Sequence, residues 1–327
     1  MIEKTLPYFV HAFSNLNTGG GKIKESAPHK PLVLLSVIQA FENGLLTDSR
    51  IPITPELISI FKTNWNNLVT TGHTLGFAMP FFRLKNESGG WWQLVPNSGC
   101  ELWVQTGDLA SFTSLSNAVA YAEIDSQLSE LFLDTLSRSV LRQTLLDRYF
   151  PGKSMSINTD NRVDIDKLRR EMLEESPTEY GSKMRGMKKR LNAETYEIEL
   201  YTREAVFRRE IVRLYNDTCC ITGIRVSAPY TFSMVDACHI VPFYKTFNNH
   251  PTNGIALCPN LHRAFDKGVI SVDDDYRVMV SPMFVENENS TYSLKALAGK
   301  QIELPTNKDF GPDIEAFGWH RKNTFKG

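Results

Sequence analysis

The sequence predicts an α+β protein of two domains. The N-terminal half reads as mainly helical with a β-hairpin, winged-helix-like in its order, and the C-terminal half centres on a ββα arrangement. Three observations carry this. Apolar residues recur at helical spacing at Leu57, Ile58, Phe61, Trp65 and Leu68, and again at Leu128, Phe132, Leu136 and Val140. Two strand-like runs, MPFFRL and WWQLV, flank the turn NESGG. The stretch 236–266, DACHIVPFYKTFNNHPTNGIALCPNLHRAFD, holds three of the seven histidines on what reads as a strand, a loop and a short helix.

The 327 residues allow two cores, and 42% hydrophobic with 22% charged residues is ordinary for a soluble globular chain. No apolar run is long enough to span a membrane, so no membrane partner is expected. The start, MIEKTLPYFVHAF, lacks the small-residue cleavage site of a secretory signal. Five cysteines form no regular framework, which predicts a reduced, cytoplasmic setting. A net charge of −1 gives nucleic-acid binding no overall support, so any such role rests on local patches.

Taken in order, Ala27-Pro28-His29-Lys30-Pro31 opens an apolar helix, LVLLSVIQAFENGLL, with prolines at its entry. Pro55 starts a second helix that runs to Val69. The hairpin follows at 79–95, with Trp91 and Trp92 on opposite faces, one in the core and one free to face outward. A single amphipathic helix, Ser126–Phe150, closes a first domain at about 150. Residues 151–195, polar and rich in Pro, Gly and charge, read as a basic linker holding one short helix at 164–175. Nine Lys/Arg stand against five Glu between 183 and 213. That excess suits either a solvated face with Glu/Arg pairs or a phosphate-contacting helix. In the second domain, 196–327, a helix at 199–215 precedes a strand at 230–243, the helix Asn260–Asp266 and a hairpin across the turn DDD.

Within 236–266, Pro259 suits a first helical turn, and His262 and Asp266 fall one turn apart on one face, where they can share a cation. His239 on the strand suits a general base. Asn253 orients the loop or adds an oxygen ligand. The wording CCITG, then ACHIVPF, then NGIALCPNLHRAFDKG resembles the ββα-metal motif of HNH endonucleases over about 219–280. The resemblance implies DNA cleavage with His239 as base, Asn253 as the central asparagine and His262 as the last histidine. It also implies a divalent ion, Mg²⁺ or Mn²⁺. Many such sites carry Asp or His just before the base, where this chain has Cys238. A thiol suits Mg²⁺ poorly, so either Asp236 reaches in or His262 and Asp266 hold the ion with water. Cys219, Cys220 and Cys258 lack the CxxC…CxxC spacing of a structural zinc site and read as buried thiols.

APHKPLVLL, then AMPFFRL and WWQL, is similar to the sulfur-binding domains of phosphorothioate-dependent restriction endonucleases over about 20–100. The resemblance implies an apolar cup for sulfur at Met79, Pro80 and Phe81. His29 and Lys30 would supply positive charge at a helix start, and Arg83 a contact to backbone or base. Those cups usually carry an aromatic where Met79 stands, though a thioether also meets sulfur well. Without the resemblance, His29-Lys30 is an ordinary helix-entry pair. The expectation is therefore a modification-dependent restriction endonuclease acting on phosphorothioated double-stranded DNA. One HNH site cuts one strand, so double-strand breaks imply a homodimer. The alternatives are an HNH enzyme reading a modified base or plain sequence, and a DNA-binding regulator with a dead nuclease.

Overall fold

The structure, a computed structural model, describes residues 4–19, 27–107, 109–153, 162–226, 233–287 and 292–327. It mixes helices with small antiparallel sheets and divides into two compact units. One is residues 1–165 with Leu191–Thr202, and the other Asp166–Arg190 with Arg203–Gly327. Among the described residues no helix is long and apolar enough to cross a membrane.

The first unit opens with α1 (Leu6–Ser14), α2 (His29–Glu42), β1 (Arg50–Pro52) and α3 (Pro55–Leu68). Helix α2 is apolar all round and is buried from Lys30 to Phe41, as befits a helix at the centre of a core. Helix α3 starts where Pro55 pre-sets the backbone and the Thr54 hydroxyl accepts the Leu57 N–H. Its face of Leu57, Ile58, Phe61, Trp65 and Leu68 is buried as the periodicity predicts. Between the two helices the buried Asn64 donates to Gln39 Oε1 (3.0 Å) and Ser36 Oγ (3.3 Å), so its polarity is satisfied.

The hairpin expected at 79–95 does not form. MPFFRL lies in a short helix, α4 (Ala78–Arg83), and WWQLV enters β2 (Trp92–Pro96). After α5 (Glu101–Thr106) and α6 (Phe112–Ala118) comes β3 (Val119–Ile124), which takes the centre of an antiparallel sheet ordered β1-β3-β2. So β2 finds its partner beyond two helices, and the wing of a winged-helix layout is not made by these residues. Pro80, with its φ fixed near the helical value, and two capped N–H groups at Phe77 and Ala78 favour the helix. Both tryptophans are buried, against the expectation of one outward face: Trp91 meets Phe13 and Trp92 meets Phe81.

The long helix expected at 126–150 is two, α7 (Ser126–Leu133) and α8 (Thr135–Tyr149). Asp134 separates them and caps the second through Ser137 N–H at 2.8 Å. The break resets the helical phase. Leu128 and Phe132 are therefore buried while Leu136 is 78% and Val140 43% exposed.

Residues 162–190, expected as linker with one short helix, form α9 (Arg162–Glu174) and α10 (Pro177–Arg190); the polar run 154–161 lies outside the described residues. Helix α11 (Ala193–Leu214) gives its residues up to Thr202 to the first unit and the rest to the second. Much of the basic excess there is internally paired. Arg203 meets Glu171 at 2.9 Å, Lys183 meets Glu171 and Glu175 at 2.8 Å, and Arg213 pairs with Glu210.

The rest of the second unit is β4 (Asp236–His239), α12 (Phe243–Thr246), β5 (Gly254–Leu257), α13 (Pro259–Asp266), β6 (Ile270–Val272), β7 (Val278–Val280) and α14 (Ile314–Asn323). Strands β4 and β5 pair antiparallel, as do β6 and β7 across the DDD turn. Of the strand expected at 230–243, positions 230–232 lie outside the described residues.

Candidate active site

Strand β4 ends on His239, opposite Gly254 of β5. Glycine is required there: a β-carbon at 254 would fall 2.5 Å from Ile211 Cδ1 and 2.8 Å from Phe207 Cζ. Its absence lets α11 close on the strand pair, and Phe207 lies flat on the imidazole, centroids 4.0 Å apart and planes at 9°. From the β4–β5 loop, the fully buried Asn249 sets its Oδ1 2.8 Å from His239 Nε2. An amide oxygen only accepts, so Nε2 carries the proton and Nδ1 keeps its lone pair. Burial lowers the His239 pKa below the ordinary 6.5, with the Asn249 bond acting the other way. The ring is thus neutral near pH 7, with one nitrogen able to take a proton.

Asn253 is buried and braces that loop. Its Oδ1 accepts the Val241 N–H (2.8 Å) while Nδ2 donates to the carbonyls of Val241 (2.9 Å) and Asn248 (3.1 Å). Of the two roles open to it, the loop-orienting one is therefore occupied. His250, the third histidine of the stretch, turns to the Thr252 hydroxyl at 2.8 Å.

Pro259 sits in the first turn of α13. His262 is flanked by carboxylates on both nitrogens, Asp236 Oδ2 at 3.6 Å from Nδ1 and Asp266 Oδ2 at 3.6 Å from Nε2. Cys238 Sγ approaches Asp266 Oδ1 at 4.0 Å. The donor atoms of Cys238, His262 and Asp266 all lie within 4.8 Å of one another. An imidazole between two acids, beside a thiol, is a donor set that fits a divalent cation. His239 and His262 open on one cleft of about 530 Å³, bordered by Asp236, Asp266, Glu204, Arg208 and Phe243.

The residues expected at the sulfur cup fall on a cavity of about 610 Å³ in the first unit, which includes His29, Lys30, Met79, Pro80 and Arg83. Phe81 does not belong to it: the ring is fully buried, stacked on Phe77 and edge-on to Trp92, because α4 turns it inward. Lys30 is ion-paired to the buried Glu87. The His29 Nε2–H meets the Thr74 carbonyl at 2.9 Å, and burial lowers its pKa, so that ring is neutral too. Arg83 Nε lies 3.0 Å from Met79 Sδ. Glu194 enters the cavity from α11, and its Oε1 accepts the Phe77 and Ala78 N–H groups, each at 2.7 Å.

Sequence reasoning missed Asn249, Phe207, Glu204, Arg208 and Glu194. A signal existed for three of them, since Glu204, Phe207 and Arg208 share one face of α11 at i, i+3, i+4 spacing. Nothing in the run NNH marked Asn249 over Asn248.

No curated protein matches the chain. Among solved structures it is similar to a modification-dependent TagI restriction endonuclease, at 19% identity and a TM-score of 0.29. That alignment covers 36% of this chain and 37% of the other, too distant a likeness to carry an argument. Residues 219–273 match the family described as HNH endonuclease. The second unit thus contains an HNH endonuclease domain, a metal-dependent DNA nuclease module, around the cleft of His239 and His262.

Proposed function

We propose that the protein is a modification-dependent DNA restriction endonuclease. Its first unit would read phosphorothioated duplex DNA and its HNH domain would hydrolyse phosphodiester bonds nearby. The observation that carries the cleavage half is the shared cleft, in which a neutral imidazole with a free Nδ1 faces a carboxylate-flanked His262. His239 Nδ1 takes the proton from the attacking water while Nε2–H stays on Asn249, whose carbonyl steadies the imidazolium that results. Phe207 keeps bulk water off the ring's face. Arg208, ion-paired to Glu204 on the same cleft, would exchange that partner for a phosphate. His262 and Asp266 would hold a divalent cation, whose chemistry when bound is to polarise the phosphate and stabilise the departing oxygen.

The reader half is supported by the first-unit cavity. Sulfur is larger, more polarizable and less strongly hydrated than oxygen, and Met79 and Pro80 offer it an apolar wall beside Arg83. A second reading of this unit, recognition of a modified base or of plain sequence, is favoured by the pairing of Lys30 with Glu87 and by the neutrality of His29. Together these remove Lys30 and His29 as the cup's source of positive charge. Binding to sulfur-bearing and ordinary duplexes of one sequence separates the two: equal affinity removes the sulfur reading. A nicking assay on the same DNA with Mg²⁺ or Mn²⁺ tests the nuclease, and cleavage that persists in His239→Ala refutes the assigned base. Cutting of both strands would require two copies of the chain, which sedimentation with DNA would reveal.

A further inference from the structure

We propose that the cation site is a thiolate site. Cys238 Sγ joins His262 and Asp266 as an S/N/O donor set that selects a thiophilic first-row dication such as Zn²⁺ or Co²⁺ over Mg²⁺. Asp236 would be the carboxylate that orients His262 from its other nitrogen. The inference deepens the nuclease reading of this cleft and rests on it.

Strand alternation turns Cys238 away from the side of His239 and toward α13. The side chain is fully buried, and its sulfur forms no disulfide. It ends 4.0 Å from Asp266 Oδ1, and Asp266 Oδ2 lies 3.6 Å from His262 Nε2. All three donors fall within 4.8 Å of one another. Bond lengths of about 2.3 Å to sulfur and 2.0 Å to nitrogen or oxygen, set at the tetrahedral angle, put donor atoms roughly 3.5 Å apart. Side-chain shifts of about 1 Å therefore close the triangle. Three protein donors leave a fourth position for water or a phosphate oxygen, the arrangement of a catalytic rather than a structural site. Mg²⁺ demands oxygen ligands in octahedral order and gains nothing from sulfur, whereas a thiolate and an imidazole are the donors that draw borderline ions. Asp236 lies 3.6 Å from His262 Nδ1, on the side of the ring away from Asp266. Metal-bound histidines commonly hold a carboxylate on that second nitrogen, which fixes ring and tautomer.

The test is optical titration of the metal-free full-length protein with Co²⁺. The expected result is a sulfur-to-cobalt charge-transfer band in the near ultraviolet and visible bands of tetrahedral intensity, saturating at one equivalent. Both Cys238→Ser and Cys238→Ala should lose the charge-transfer band and bind Co²⁺ at least tenfold more weakly, with Mg²⁺ affinity unchanged. A triple Cys219→Ser/Cys220→Ser/Cys258→Ser variant should keep the band, which separates this sulfur from the other buried thiols. The wild-type spectrum decides even if the Cys238 variants fail to fold: saturating Co²⁺ without a thiolate band overturns the proposal. So does a band that survives in Cys238→Ala. A missing band with Mg²⁺-driven cleavage intact would sink the thiolate and leave the nuclease standing. A thiolate band without cleavage under any dication would do the reverse.

Discussion

Acid should loosen the helix that carries His262 and Asp266, and His320 sets by how much. This histidine of α14 is buried with its ring stacked on Phe265 of α13, centroids 3.7 Å apart. Its Nε2–H donates to the Phe265 carbonyl at 3.1 Å, so its Nδ1 must accept from the Ser271 hydroxyl at 2.9 Å. A proton on Nδ1 would turn that acceptor into a donor inside a dry core. Desolvation, aided by nearby Arg321 and opposed by the Phe265 bond, pushes the pKa from 6.5 to about 4. Because the folded pKa lies below the unfolded one, the unfolded chain binds more protons between those values. The contribution is therefore fully present above pH 6.5 and is lost as pH falls toward 4. At about 1.4 kcal/mol per pH unit over that interval, the loss is on the order of 3 kcal/mol. Urea unfolding at pH 7.5 and pH 4, read by amide hydrogen exchange in α13 and α14, measures it. The control is His320→Phe, which keeps a ring on Phe265 but cannot titrate. Subtracting the variant's acid-induced loss from the wild-type loss should leave about 3 kcal/mol. If both chains lose the same stability, the burial argument is wrong.

His239 should respond to its tether. Since burial lowers the His239 pKa, the acid limb of the cleavage profile should lie below pH 6.5. Asn249→Asp puts a carboxylate on Nε2 and should move that limb upward by about one pH unit, while Asn249→Leu releases the tautomer and should slow cleavage about 10- to 100-fold. In the first unit, Lys30→Met leaves Glu87 buried without its cation and should cost about 3–5 kcal/mol in thermal or urea unfolding. Adding Glu87→Leu should restore most of it. Glu194→Gln keeps an acceptor for Phe77 and Ala78 but removes a negative charge from the cavity. DNA binding measured by fluorescence anisotropy should tighten about threefold at low salt, and less as salt rises.

What the residues announced in advance was mostly local. The α3 face, the α13 helix with its proline entry at Pro259, and the β6–β7 hairpin follow from neighbours within a turn or two, where periodicity and turn chemistry act directly. The failures were non-local. MPFFRL has strand composition, yet its Pro80 and the distant Glu194 carboxylate make a helix of it, and β2 pairs with a strand more than twenty residues on. Asp134 looked like one polar residue in an amphipathic run, but as a cap it ends one helix and starts another out of phase. The same division holds in the site. Imidazole and carboxylate spacing on α13 could be read directly, whereas the charge expected of Lys30 in the cup was cancelled by Glu87, 57 positions away.

His239 shows why a motif alone underspecifies its chemistry. A histidine on an exposed strand would titrate near its ordinary value and spend part of its time in the wrong tautomer. Here Phe207 removes water from the ring face and thereby disfavours the charged form, and Asn249 selects which nitrogen holds the proton. The two effects oppose each other on the pKa, yet both serve one end, a neutral imidazole with its lone pair on Nδ1. They depend in turn on Gly254, since a β-carbon there would push the Ile211 and Phe207 side chains from their places. The asparagine and glycine read from the sequence as parts of a nuclease signature thus act through packing. Asn253 holds the loop that carries Asn249, and Gly254 admits the phenylalanine, so the basicity of His239 is set by four residues that need never touch DNA.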